Sequence, residues 1–207
     1  MKALKILTRL TQEKAAGPAP SFTEHHLAKA IEIIGKETTG RAKLSEAIRL
    51  GDGATRTLID RLQTARLIRT SRRGCALTKD GLAILEELNS KLPRQAKVAP
   101  SSVTVSSHNF GILVKNVADR VRNGIEQRDA AVRAGAMGAV TLVFKRGKLF
   151  TPPADIMPRN WGGLAKRILE LFEPGENDVI VIAGGDTEEK AEDGGRAAAW
   201  TLIESSN

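Results

Sequence analysis

Aromatic side chains are scarce in this chain of 207 residues, with five Phe, two Trp and no Tyr. Proteins that grip single-stranded nucleic acid need aromatic faces on which bases stack, so that class is disfavoured. Cysteine occurs once, at Cys75, which excludes an intramolecular disulfide and any cysteine-rich zinc site. The residue reads as a small apolar filler rather than a redox centre. Long apolar runs are missing too: Lys2, Lys5 and Arg9 interrupt the one N-terminal candidate, and no run approaches about 18 residues. A cytoplasmic protein without a membrane partner is expected. His25 and His26 are adjacent and point to different faces of a helix, which is poor geometry for one metal. His108 has no identifiable nucleophile or acid partner, so no hydrolytic triad can be built. Neither enzyme activity nor a cofactor is expected.

What the chain has in excess is positive charge, and it lies in one half. Residues 1 to 100 hold 19 Lys or Arg against 10 acids, whereas residues 101 to 207 hold 13 against 14. The overall +8 therefore belongs to the N-terminal half. The stretch between the halves, Pro93 to Ser102, lacks periodicity and carries prolines at 93 and 100, which predicts a linker over 93–102 between domains at 21–92 and 103–207.

The basic half carries a recognisable order of elements. Leu44, Ala47 and Ile48 recur at helical spacing, so a short helix is expected from about Lys43 to Arg49. Gly51 and Gly53 then suggest a tight turn with positive φ, and Asp52 a cap. A second helix over Ala54–Ala65 would bury Leu58, Ile59 and Leu62 and leave Arg56, Thr57, Asp60 and Arg61 outside. Two strands around Leu67–Thr70 and Cys75–Thr78 flank Ser71-Arg72-Arg73-Gly74, a hairpin with two arginines at its tip. Thr78 can cap a last helix, Lys79 to Leu92, with Leu82, Leu85 and Leu88 inward. Helix, helix, hairpin and helix in this order form a winged helix-turn-helix. Residues 41 to 80 carry ten Lys or Arg and four acids, which fits double-stranded DNA better than a neutral docking face.

Candidate DNA contacts follow from this geometry. The second helix enters the major groove in such domains, so Ala54, Thr55, Arg56, Thr57 and Arg61 are assigned to it. Arg56 could bond guanine O6 and N7 in bidentate fashion or serve as a phosphate clamp. Arg72 and Arg73 would reach phosphate or the minor groove from the wing, and Arg41 and Lys43 would neighbour phosphates. Arg66 stands where a left-handed helix end would suit glycine. It either accepts about 1 kcal/mol of strain or marks a different exit. Ahead of the domain, Leu4, Leu7 and Leu10 suggest a helix over Ala3–Glu13 that packs on its own domain or on a partner subunit.

Residues 23 to 92 resemble the DNA-binding domain of the bacterial central glycolytic genes regulator, through Leu44-Ser45-Glu46, the run Gly51 to Thr57 and Leu67-Ile68. Nearly everything after residue 20 is similar to an uncharacterised archaeal family that joins such a domain to a C-terminal domain of unknown function; the phrases are Val121 to Ala131 and Gly138 to Phe144. The resemblance implies a transcription regulator and an archaeal origin. It supplies neither operator nor effector.

The C-terminal half mixes strands (Val103–Val105, Phe110–Val114, Ala139–Phe144, Lys148–Phe150, Asp178–Ala183) with helices (Ile125–Ala134, Trp161–Phe172, and Glu188–Glu204 interrupted at Gly194-Gly195). A two-layer α+β domain is expected, with a mainly antiparallel sheet covered on one side. Gly184-Gly185-Asp186 lacks the remaining residues of a nucleotide loop, so a plain strand-to-helix turn is the stronger reading than a phosphate site. Asn123, Glu126, Gln127, Arg128 and Asp129 gather at one helix start and read either as an effector pocket or as a solvated face. The function expected is a DNA-binding regulator whose C-terminal domain dimerises, senses a small molecule, or both; one helix-turn-helix reads only a few base pairs, which favours a homodimer. The alternative is an adaptor whose winged helix binds protein or RNA.

Overall fold

The computed structural model describes residues 2–12, 21–101, 104, 106–153 and 162–203. Residues 103 and 105 of the expected strand and the helix stop at 17–20 lie outside the described residues. The chain divides into two units, Met1–Asn89 and Ser90–Asn207.

The first unit runs α1 (Lys2–Gln12), α2 (Glu24–Lys36), α3 (Arg41–Ile48), α4 (Asp52–Thr64), β1 (Ile68–Ser71), β2 (Gly74–Leu77) and α5 (Lys79–Lys91), whose last two residues fall in the second unit. β1 and β2 pair antiparallel through a turn at Arg72-Arg73. A third segment joins the wing: Thr39 and Cys75 exchange both backbone hydrogen bonds, at 3.0 and 2.9 Å. Gly74, at φ +122°, is required there, because a Cβ would stand 2.6 Å from the Thr39 carbonyl oxygen. Thr78 caps α5, its Oγ1 accepting from the Gly81 N–H at 3.1 Å. The inward face of α5 is Gly81, Ile84 and Leu88, while Leu82 is exposed. The expected three-residue spacing drifts off a 3.6-residue period, which is why Leu82 is on the wrong side. α1 packs on α2 with Leu7 and Leu10 buried, the internal alternative of the two.

The turn between α3 and α4 differs from expectation. Gly51 caps α4 at φ −60°, and neither Gly51 nor Gly53 has positive φ. The left-handed residue is Arg49, at φ 57°. Its neighbour Leu50 donates to the Ser45 carbonyl at 3.1 Å, so the helix end is closed by a bond spanning five residues. Arg66 ends α4 in the same manner at φ 59°, with the Leu67 N–H donating to Leu62 at 2.9 Å. A cation beside the negative end of a helix dipole gains about 0.3–1 kcal/mol, which offsets part of the left-handed strain.

The second unit contains β3 (Arg94–Val98), β4 (His108–Val114), a 3₁₀ turn at Ala118–Arg120, α6 (Ile125–Arg133), β5 (Gly138–Lys145), β6 (Lys148–Phe150), α7 (Gly162–Phe172), β7 (Val179–Gly185) and α8 (Glu188–Ile203). The strands form one antiparallel sheet in the order β3-β4-β7-β5-β6. β3 occupies part of the expected linker. A short edge strand buries one face only and keeps Arg94 and Lys97 exposed, so its alternation is faint in the sequence. Successive residues of β7 face opposite ways. Ile180 and Ile182 meet Ala165, Ile168 and Phe172 of α7 in one core. Ala183 lies on the other face against Gly194 of α8, and Gly195 lies against Phe110 and Ile112. The helices therefore cover both faces, which corrects the two-layer expectation while the α+β class stands. Gly194-Gly195 does not interrupt α8; these are the points at which the helix touches the sheet. In α7, Leu171 is exposed and Phe172 takes the expected inward place.

Candidate nucleic-acid interface

The residues assigned to DNA divide into outward cations and internal braces. Arg56 on α4 is 61% exposed, and Asp52 at the start of the same helix pairs with it at 3.5 Å and with Arg41 at 3.0 Å. Asp52 is the first helical residue rather than the cap, and its carboxylate joins the starts of α3 and α4 through Arg41 while pairing with Arg56 one turn along its own helix. Lys43 is exposed and held by Glu37 at 2.5 Å, which keeps the Glu37 carboxyl below its ordinary range. Arg69, Arg72 and Arg73 on the wing are exposed. Thr57 is exposed with its hydroxyl donating to the Gly53 carbonyl at 3.1 Å, and Ala54 is half-buried.

Two assigned residues face inward. Thr55 is fully buried, and its hydroxyl donates to the Gly51 carbonyl at 3.0 Å. A β-branched hydroxyl satisfied by the preceding turn fixes the entry to α4 and offers nothing to a groove. Arg61 is half-buried; its guanidinium donates to the Leu10 carbonyl at the end of α1 and lies 5.4 Å from the Phe22 ring. The helical period places Arg61 on the outer side of α4, but the end of α1 and the Phe22 ring meet its guanidinium there. This could not be read from α4 alone.

The five residues considered for an effector are engaged locally or exposed. Gln127 is buried and donates to the Thr201 hydroxyl at 2.8 Å, and the side-chain Oδ1 of Asn123 accepts from the Ile125 N–H at 3.0 Å. Arg128 and Asp129 pair at 3.0 Å on the surface, and Glu126 is exposed. A cavity of about 450 Å³ in this unit is lined instead by residues that include Val98, Pro100, Leu164, Ile168 and Leu171. At Gly184-Gly185-Asp186, a Cβ on Gly185 would lie 2.7 Å from the Ala191 nitrogen, and Lys190 pairs with Asp186 at 2.8 Å. The glycine serves strand-to-helix packing, and the carboxylate occupies the nearby cation.

The family model of a PH0730-like N-terminal domain matches residues 28–83, and that of a domain of unknown function (DUF4443) matches residues 105–202. Both matches are consistent with an uncharacterised two-domain family. It is similar to the solved structure of the hypothetical protein PH0730 from Pyrococcus horikoshii OT3, with 28% identity and a TM-score of 0.65. That match covers 85% of this chain and 91% of the other, so the similarity extends over both units. No curated protein matches it.

Proposed function

We propose that the chain is a DNA-binding transcription regulator, with its N-terminal unit on duplex DNA and its C-terminal unit joining two copies. The observation that carries this reading is the set of exposed guanidinium groups on α4 and at the wing tip, Arg56, Arg72 and Arg73, in the half of the chain that holds the excess charge. Such groups neutralise phosphates, and binding then falls steeply as salt rises through release of counterions. Asp52 limits the freedom of Arg41 and Arg56 before binding, which reduces the ordering cost of a contact.

Titration of the full chain against sheared genomic duplex over a salt series tests the reading. Binding at low salt with a steep negative slope is expected, and Arg72→Ala with Arg73→Ala should weaken it for all sequences and flatten the slope. Absence of binding at low salt would overturn the reading in favour of a protein-docking winged helix.

A further inference from the structure

Helix α6 presents an outward stripe. Gln127, Ala130 and Ala131 face the interior, and at about 100° per residue the opposite side carries Ile125, Arg128, Asp129 and Val132. Ile125 is 46% and Val132 49% exposed, although the large aliphatic residues of this unit are mostly buried. The charged pair between them is equally open, with Arg128 at 56% and Asp129 at 46%. Along one short helix the order is therefore apolar, opposite charges side by side, apolar.

The two charges lie on opposite sides of the line from Ile125 to Val132, each displaced by about 50° around the helix. A twofold axis along the helix direction places the left flank of one copy on the right flank of the other. Arg128 then meets Asp129 of the partner subunit, twice, while Ile125 and Val132 each meet their own equivalents. A twofold axis across the helix would instead set Arg128 on the same arginine of the second copy and Asp129 on the same aspartate. The charges thus select the parallel arrangement and exclude the antiparallel one.

We infer that the outer face of α6 is a homodimer surface that takes the same face of a second copy in parallel sense. This rests on the reading of the chain as a regulator working in two copies, and it names the surface that joins them. Four side chains cover less than the roughly 800 Å² per partner of a standard stable interface. Association of the free protein is therefore weak and concentration-dependent, and two copies on neighbouring half-sites gain the remainder through effective concentration.

Sedimentation equilibrium of the full chain, without DNA and up to high micromolar concentration, tests the surface. Wild type should self-associate. Arg128→Asp places four acids at the contact and Asp129→Arg places four cations, so each should weaken association about tenfold or more. An equimolar mixture of the two variants pairs acids with cations and should recover it. Both positions are exposed, so folding is not in question, and circular dichroism checks it. Association that persists in both single variants would overturn the α6 assignment and leave a dimer through another face. A mixture that stays dissociated would also overturn it. Wild type that remains monomeric throughout would overturn the assignment together with the two-copy reading, independently of DNA binding.

Discussion

The Lys115 ammonium lies 2.6 Å from the carboxylate of Asp178, which is wholly buried at the start of the central strand β7. The same carboxylate accepts from the backbone N–H of Asn116 at 2.9 Å and of Gly175 at 2.7 Å. One side chain thus ties the exit of β4 and the connection after α7 to the strand in the middle of the sheet. Replacing Asp178 with Ala strands two backbone donors, each costing about 1–3 kcal/mol when buried. A loss of at least about 2 kcal/mol in urea unfolding is expected, with Lys115→Ala costing less because its side chain is one-third exposed. Equal losses would contradict the central place of the carboxylate.

Arg56 and Arg61 separate binding from stability. Arg61→Ala removes the bond to the Leu10 carbonyl and the contact with Phe22, so it should lower stability by about 1–2 kcal/mol. Arg56→Ala should leave the melting temperature nearly unchanged, since exposed pairs contribute about 0–1 kcal/mol. The DNA titration should show the reverse order. Thermal melts that rank the two variants the other way would refute the assignment of Arg61 as a brace.

Arg66 exchanges backbone comfort for charge. At φ 59° it occupies a conformation that favours glycine, so Arg66→Gly should stabilise the fold by up to about 1 kcal/mol. It should also reduce DNA affinity at low salt by removing one cation. A stability decrease in calorimetry would show that the arginine side chain makes a larger contribution than the strain it brings.

Gly81 sits where α5 crosses the chain leaving α4. A Cβ there would stand 2.1 Å from the Leu67 carbonyl oxygen, which itself accepts from the Thr78 N–H at 3.0 Å. Backbone cannot step aside as a flexible side chain would, so Gly81→Ala should cost about 1–3 kcal/mol despite the better helix propensity of alanine. Gly53→Ala has open space and should be neutral or stabilising. A chemical-denaturation midpoint unchanged in Gly81→Ala would disprove the close approach.

Burial raises the Cys75 thiol above its ordinary range. The folded protein therefore holds the proton to higher pH than the unfolded chain, and any stability from the neutral thiol is present below the unfolded value and lost as pH rises through the folded one. At neutral pH a thiol reagent should label the native protein slowly and the urea-unfolded chain fast. Rapid stoichiometric labelling of native protein would show an accessible wing strand.

The sequence by itself determined the winged order of elements, because helical periods, a glycine-bounded hairpin and a capping Thr78 are local signals. It also determined the division of charge, and it marked Arg66 as a backbone exception, which the left-handed φ explains. Tertiary structure decided what local pattern cannot carry. Thr39 joins the wing only through pairing with a residue 36 positions away; the strand at Arg94–Val98 gains its hydrogen bonds from β4; α7 closes the second face of the sheet. The same reason separates Arg56 from Arg61. Both lie on the polar side of α4, and only the contacts of Arg61 with the end of α1 and with Phe22 leave one open to solvent and make the other part of the fold.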